Sequence, residues 1–495
     1  MEPVSIASLV LLGTCCILLL WKWRSKASHG HLPPGPTPLP ILGNYFQVGR
    51  KNMIQSLEKM SKAYGPVFTV YLGLRRVVVL CSYSVVKEAL VDHGEEFSGR
   101  GQLPDFSKDF KEHGISFANG ERWRTLRRFS LSTLRNFGMG KRSLEERIQE
   151  EAQCLVEEFR KKQGMPFDPT LTLSHAISNV ICSIVFGDRF EYSDEKFLTL
   201  SRLITERFRA SSSPAAKLYN FFPEILEKVP GPHHRGSQYS QKIIDFIEER
   251  IKMQQATLDP HDPQNFIDCF LVKMEQEKHN PDSEFCMDNL VMSTFNLFFG
   301  GTETISTTLR FCFLFLMKFP EVQAKIHEEI DRVIESTRAP SSEDRQRMPY
   351  MEAVIHEVQR LSDILPMSLP HAVTRDTCFR GFLIPKGTYV YPLLSTVHSD
   401  PTQHVDPEAF DPGRFLDSSG SFKKVEAFMP FSAGKRLCLG QGLARTELFL
   451  FLTTILRSFT LKPLVPPSNV NVAPVAVGIG KLPGRYQLSM IARQP

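Results

Sequence analysis

"FMPFSAGKRLCLGQGLARTELFLFL", residues 428–452, sets one cysteine between a glycine-rich, basic turn and a long apolar run. From Leu443 to Leu456 the run is apolar apart from Arg445, Glu447 and a few hydroxyls, and it reads as a buried helix. Cys438 then falls near the start of that helix, where unpaired N–H groups and the macrodipole favour a thiolate. Glycines on both sides let a flat, bulky group approach the backbone. A lone cysteine is ordinarily a small buried hydrophobe. The joint spacing F-x-x-G-x-R-x-C-x-G, Phe431 to Gly440, raises a different expectation: a thiolate delivered to a partner.

The rest of the chain sets the frame. Its 495 residues, 42% of them hydrophobic, suit a large globular body of one or two domains. The net charge of +5 is mild, and no basic stripe interleaved with aromatics argues for nucleic acid. Ten cysteines are scattered without a CxxC pair, which excludes a zinc module or disulfide scaffold and points to reduced thiols in a cytosol-facing body.

"MEPVSIASLVLLGTCCILLLWKWRSK" opens the chain with an apolar stretch, Val4 to Trp23, about long enough to span a bilayer. A cleaved signal peptide would carry basic residues first; here Glu2 precedes the stretch, and Trp21, Lys22, Trp23, Arg24 and Lys26 follow it. The reading is a retained membrane anchor over residues 1–27, with the body in the cytosol. The proline-rich segment 28–44 is expected to act as a stiff spacer, leaving one domain over 45–495. Two β-branched runs, Val67–Leu72 and Arg76–Leu80, predict a hairpin. Helical periodicity dominates from Ser84 to Phe319, as in Lys141–Lys162, Leu173–Phe186, Gln238–Ala256 and Met287–Phe319, and Gly387–Leu393 is a late strand. The fold class is mainly α with a small β portion. Residues 207–226 break the helical pattern with three serines and Pro214; they read either as a loop packed on the core or as a second membrane contact.

Three further stretches carry candidate chemistry. "FNLFFGGTETISTTLRF", residues 295–311, lies in a run whose only charges are Glu303 and Arg310. Its glycine pair, acid and hydroxyls argue for a long core helix rather than a second membrane span. Thr304, four residues after Gly300, is placed to bond that residue's carbonyl and open the helix. Glu357 and Arg360 form an E-x-x-R pair at helical spacing, commonly a plain salt bridge. Trp123, the only tryptophan outside the N-terminal stretch, shares a helix face with Arg127.

Taken together these stretches resemble the cytochrome P450 superfamily: the cysteine signature, the oxygen motif (A/G)-G-x-(D/E)-T at Gly300–Thr304, E-x-x-R, and W-x-x-x-R, in order along nearly the whole chain. "PPGPTPLPILGN", "FSGRG" and "GLARTELFLFL" look like vertebrate family 2, and "FNLFFGGTETISTTLR" is similar to its 2A-like branch. The resemblance implies the P450 fold behind one N-terminal transmembrane helix, and haem b (iron protoporphyrin IX) with Cys438 as the axial iron ligand. An anionic sulfur there favours O–O cleavage. It further implies Arg436, Trp123 and Arg127, with Arg100 and His371, as partners of the haem propionates, and Phe431 and Gly440 as walls of the haem loop. Thr304 would support dioxygen at the iron and Glu303 would help deliver protons. Glu357, Arg360 and Arg414 would form a structural triad, although Gly413 stands where members often carry Glu. Ile305 replaces the family's frequent Thr or Ser.

The implied activity is monooxygenation of small lipophilic substrates (xenobiotic, steroid or fatty-acid type) at the endoplasmic reticulum membrane. Electrons would come from NADPH through NADPH–cytochrome P450 reductase, with cytochrome b5 as an optional second partner. The basic residues of 120–129 and Lys435 would receive an acidic donor. Phe106, Phe110, Phe117, Phe208, Phe298, Phe299 and Gly300 fall where the family lines its pocket, with Asn296 as a rare polar group; core packing is the competing reading of each phenylalanine. Two other functions stay open at this point: a haem-thiolate isomerase or dehydratase working on peroxides without a redox partner, and a non-catalytic haem or lipid carrier.

Overall fold

The computed structural model describes residues 32–49, 52–137, 142–335, 337–477 and 480–493, with 8, 10, 11 and 13–15 of the N-terminal stretch. The expected anchor therefore lies almost wholly outside the described residues, among which no helix is long and apolar enough to cross a membrane.

Helices carry the body: α1 Gly120–Asn136, α2 Arg142–Arg160, α3 Thr170–Val185, α4 Glu195–Ser211, α5 Pro214–Phe221, α6 Arg235–Thr257, α7 Met287–Lys318, α8 Pro349–Ser362 and α9 Gln441–Ser458. Helix α7, at ~1.5 Å per residue, crosses the whole body. Its C-terminal part is buried on every side, from Ile305 to Met317, which is why that stretch lacks a polar face. Helices α3, α8 and α9 pack around it in the main core. The expected helices agree with these to within three residues at each end.

A five-stranded sheet sits at one side, formed by β1 Val67–Leu72, β2 Arg75–Leu80, β3 Gly99–Arg100, β4 His371–Ala372 and β5 Tyr389–Pro392 in the order β1-β2-β5-β4-β3. The β1–β2 hairpin is antiparallel, while β2 and β5 run parallel, Val77 opposite Tyr389. The last two strands bring Arg100 opposite His371.

Two expectations need correction. The proline segment, expected as a stiff spacer ahead of the body, is itself bonded to the body: Thr69 N–H donates to Pro34 O at 2.8 Å, Thr69 Oγ1 to Pro33 O at 2.9 Å, and Tyr71 N–H to Asn44 Oδ1 at 2.7 Å. Residues 33–44 are thus fastened along β1, because proline carbonyls remain acceptors although proline cannot donate, and the body begins near residue 32 rather than 45. The serine–proline break at 211–214 is not a loop but the junction of α4 and α5. Ser213 Oγ accepts from Ala216 N–H at 3.1 Å with Pro214 in the first turn, a capped helix start.

Candidate active site

Between α7, the N-terminus of α9, α1 and the 364–369 segment lies a cavity of about 310 Å³. Cys438, Gly300, Thr304, Asn296, Arg100, Trp123, Arg127, Arg436, Phe431 and Gly440 all line it, so most of the motif residues meet in one chamber.

The cysteine loop is built by backbone. Gly434 has φ +67° and lies so close to Leu90 O that a side chain would collide with it, so only glycine turns the chain there. A tight turn, Gly434–Arg436, follows, and Cys438 N–H donates to Phe431 O at 3.0 Å. Gly440 caps α9, so Cys438 stands two residues before the cap and three before the first helical residue, Gln441. Its thiol is exposed to the cavity. Burial pushes the thiol up, and the Gly440 N–H and the Arg127 charge pull it only partly back. The helix terminus alone therefore does not make the thiolate that the sequence suggested; a bound cation at the sulfur would.

Three guanidinium groups converge on the chamber; the one acid in its wall, Glu447, is pushed well up by burial and makes no ion pair with them among the described residues. Arg100 Nε donates to Ser116 O at 3.1 Å and Nη1 to Leu369 O at 3.0 Å. Arg436 Nε donates to Ser98 O at 2.7 Å and its guanidinium stacks 3.8 Å over the Trp123 ring. Arg127 Nη2 donates to Leu437 O at 2.6 Å. None of the three makes a salt bridge among the described residues. Burial and mutual repulsion push Arg100 down to about 9 and Arg436 down to about 8. Arg436 Nη1 is buried without a partner, as is His371 Nε2, whose ring Nδ1 lies 2.8 Å from Phe97 O. His371 is held neutral, pushed down to about 3 by burial and Arg100, and stands behind Arg100 rather than in the cavity wall. Uncompensated cations facing one chamber are costly unless a ligand brings negative charge. A haem fits: two propionates for the arginines, a flat ring against Gly300 and Gly440, where a Cβ would meet only open space, and a thiol for the metal.

On α7, Thr304 Oγ1 donates to Gly300 O at 2.8 Å, as expected from the spacing. Glu303 is not in the cavity wall. Its carboxylate faces α4, accepting from Thr205 Oγ1 at 3.0 Å and Thr307 Oγ1 at 3.1 Å, with Arg310 Nη1 at 3.9 Å. Burial pushes the carboxyl up; Arg310 and the threonines offset part of this. Adjacent helical residues do not share a face, a signal in the sequence that separates Glu303 from Thr304.

Asn296 Oδ1 accepts from Ile115 N–H and Ser116 N–H, both at 2.9 Å. That fixes its amide orientation and leaves Nδ2 as a donor at the cavity. The phenylalanines are placed otherwise than expected: Phe106, Phe110, Phe117, Phe208, Phe298 and Phe299 are absent from the wall. Most of them pack on each other instead, Phe106 to Phe299 at 5.6 Å, Phe110 to Phe117 at 5.4 Å and Phe208 to Phe299 at 6.1 Å, because offset and edge-on rings satisfy one another. The wall is instead aliphatic, with Ile115, Ile181, Leu297, Ile305, Ile364 and Leu365 prominent. No motif marks those residues in the sequence.

The E-x-x-R pair is buried and bidentate. Arg360 Nε and Nη2 donate to Glu357 Oε2 and Oε1 at 2.7 and 2.8 Å, and Arg414 Nε joins at 3.1 Å. The remaining donors of Arg360 reach His398 O and Pro407 O at 2.8 and 2.7 Å, tying α8 to the segment that leads into the cysteine loop.

On the outer face, Lys435 pairs with Glu95 at 2.8 Å and Arg122 with Glu284 at 2.6 Å, so part of the basic face is already neutralised.

This fold and this thiol-and-arginine chamber define a haem-thiolate protein, and the comparisons agree: the Cytochrome P450 family model matches residues 33–490, and the chain belongs to that family. It is 55% identical to Cytochrome P450 2G1 of Oryctolagus cuniculus over 98% of both chains, 56% to Cytochrome P450 2F1 of Homo sapiens over the whole of both, and 53% to Cytochrome P450 2A6 of Homo sapiens over 98% and 99%. Family 2 is thereby shown, while the 2A-like resemblance is matched by likeness to 2F and 2G relatives. The chain is a haem b monooxygenase of small lipophilic compounds that draws electrons from NADPH through NADPH–cytochrome P450 reductase.

Proposed function

We propose the following division of labour within that activity. Cys438 holds the haem iron, and Arg100, Arg127 and Arg436 hold the propionates, with Trp123 stacked to keep Arg436 in place. Haem, when bound, supplies the activation of dioxygen. Thr304 offers its hydroxyl at the cavity, where Gly300 leaves room beside it. Glu303, one helix position away, is buried against α4 with its carboxyl pushed up by burial, which suits it to a part in proton delivery. Asn296 presents Nδ2 to a carbonyl or hydroxyl of the substrate, against walls suited to a compact apolar molecule. The aromatic cluster around Phe299 backs that wall.

The same reading places residues 1–27 in the endoplasmic reticulum membrane with the body on its cytosolic face. Leu39, Ile41, Phe46, Leu74 and Ile225 support it: all are exposed, and their segments meet where Tyr45 packs on Phe221 at 5.2 Å and Gly73 abuts Phe221 O. Such a patch, next to the start of the body, fits a second membrane contact.

The observation that carries the assignment is a single thiol and three unpaired arginines facing one chamber. The reduced, carbon monoxide difference spectrum tests it. Wild type gives the Soret band of thiolate ligation and NADPH-dependent turnover with reductase; Cys438→Ser that loads haem loses both. An unchanged spectrum in that variant refutes the assignment.

A further inference from the structure

A second, smaller pocket of about 70 Å³ lies between Gly49 and the 53–54 pair on one side and α5 and β5 on the other, walled mainly by Met53, Ile54, Leu72, Leu103, Phe221 and Met367. Among these apolar walls the Ser211 and Ser368 hydroxyls already donate to Phe208 O and Ser432 Oγ, and three further side chains bring donors. Lys217, on α5, is half-buried, and its ammonium makes no ion pair or hydrogen bond among the described residues. Burial pushes its ammonium down, and no neighbouring acid offsets that. Asn220 also lines the pocket; its Oδ1 accepts from Asp105 N–H at 2.9 Å, leaving Nδ2 as the free donor. Tyr391, buried on β5, brings a hydroxyl that donates to no described residue. No Asp or Glu lines the pocket. Asp105, whose N–H meets Asn220, has its carboxylate committed elsewhere: its Oδ2 holds Arg207 Nη1 at 3.1 Å.

A half-buried ammonium costs free energy unless an anion meets it. Water alone could hydrate it, but an apolar pocket holds water poorly and favours a ligand that is apolar over most of its length. We propose that this pocket is a binding site for a lipophilic anion, its single charged head on Lys217, Asn220 and Tyr391 and its first methylenes between Met53, Ile54 and Leu72. The head chemistry is a carboxylate or a phosphate monoester. Ser368 lines both this pocket and the haem-side cavity, so a molecule bound here sits one residue from the substrate chamber.

The test is titration calorimetry on the haem-loaded full chain in neutral-lipid nanodiscs, with empty nanodiscs as blank. An azole on the haem iron fills the main cavity. Octanoate, octyl phosphate and octanol are the probes. At least one of the two anions should bind about tenfold or more tightly than octanol, the size of one charge-assisted hydrogen bond. Which anion binds tells carboxylate from phosphate. The preference should vanish in Lys217→Gln, persist in Lys217→Arg and weaken in Tyr391→Phe. The proposal fails if octanol binds as well as both anions, if Lys217→Gln keeps the preference, or if the azole abolishes anion binding. None of these results depends on turnover, so failure here leaves the monooxygenase assignment intact.

Discussion

At the scale of single residues, the chamber is defined by what its charges lack. The Arg127 side chain makes one hydrogen bond among the described residues, to Leu437 O, and repels Arg100 and Arg436. Replacing it should therefore act with opposite signs in two states. Arg127→Gln is expected to leave the haem-free chain at least as stable in urea as the wild type, while haem is lost about ten- to a hundredfold more readily in transfer to a haem scavenger, one propionate contact being worth roughly 1.5–3 kcal/mol. A variant destabilised in both states would show that Arg127 is packing alone. Asn296 makes a separate prediction. Its oxygen is held by two backbone N–H groups, so Asn296→Ala frees the 115–116 segment and removes the Nδ2 donor. Affinity for a carbonyl-bearing substrate should fall about fivefold, from ~1 kcal/mol, with altered product regiochemistry. Unchanged affinity and regiochemistry together would remove Asn296 from the site.

At the scale of elements, α7 shows what periodicity can and cannot tell. Its limits, Met287–Lys318, were legible from the apolar run, and so were the β1–β2 hairpin and the start of α9. The equal-looking pair Gly300–Gly301 was not separable in the sequence. A Cβ on Gly300 meets open space, whereas one on Gly301 comes within 2.5 Å of Ile181 Cδ1 on α3. Gly300→Ala should keep its melting temperature and bind smaller ligands preferentially. Gly301→Ala should cost ~1–3 kcal/mol by forcing α3 and α7 apart, seen as a lower urea midpoint at constant m. Contacts distant in sequence stayed hidden for the same reason. Nothing near Pro33 names Thr69 as its partner, and a count of 37 phenylalanines does not say which rings face each other. The Ser213–Pro214 helix start, by contrast, carried a readable signal, a capping hydroxyl before a first-turn proline.

At the scale of the whole molecule, acid sets a limit on stability. His356 is ringed by Phe415, Phe422 and Phe428 at 4.6–5.3 Å, and burial pushes it down from 6.5 to about 4. His404, buried near Arg360 and Arg414, is likewise pushed down to about 4. Both are neutral in the native protein, and the unfolded chain takes up protons that the folded one refuses. Stability should therefore be full above pH ~6.5 and fall as pH drops from there toward ~4. Urea unfolding at pH 7.5 and 5 should differ by a few kcal/mol, and His356→Gln, where it folds, should flatten the difference. The arginine cluster has a consequence for biosynthesis. A newly made chain that closes before its prosthetic group arrives must crowd three like charges into a dry chamber, so late closure is built into it. The yield of mature protein in a cell should then follow porphyrin supply rather than messenger abundance.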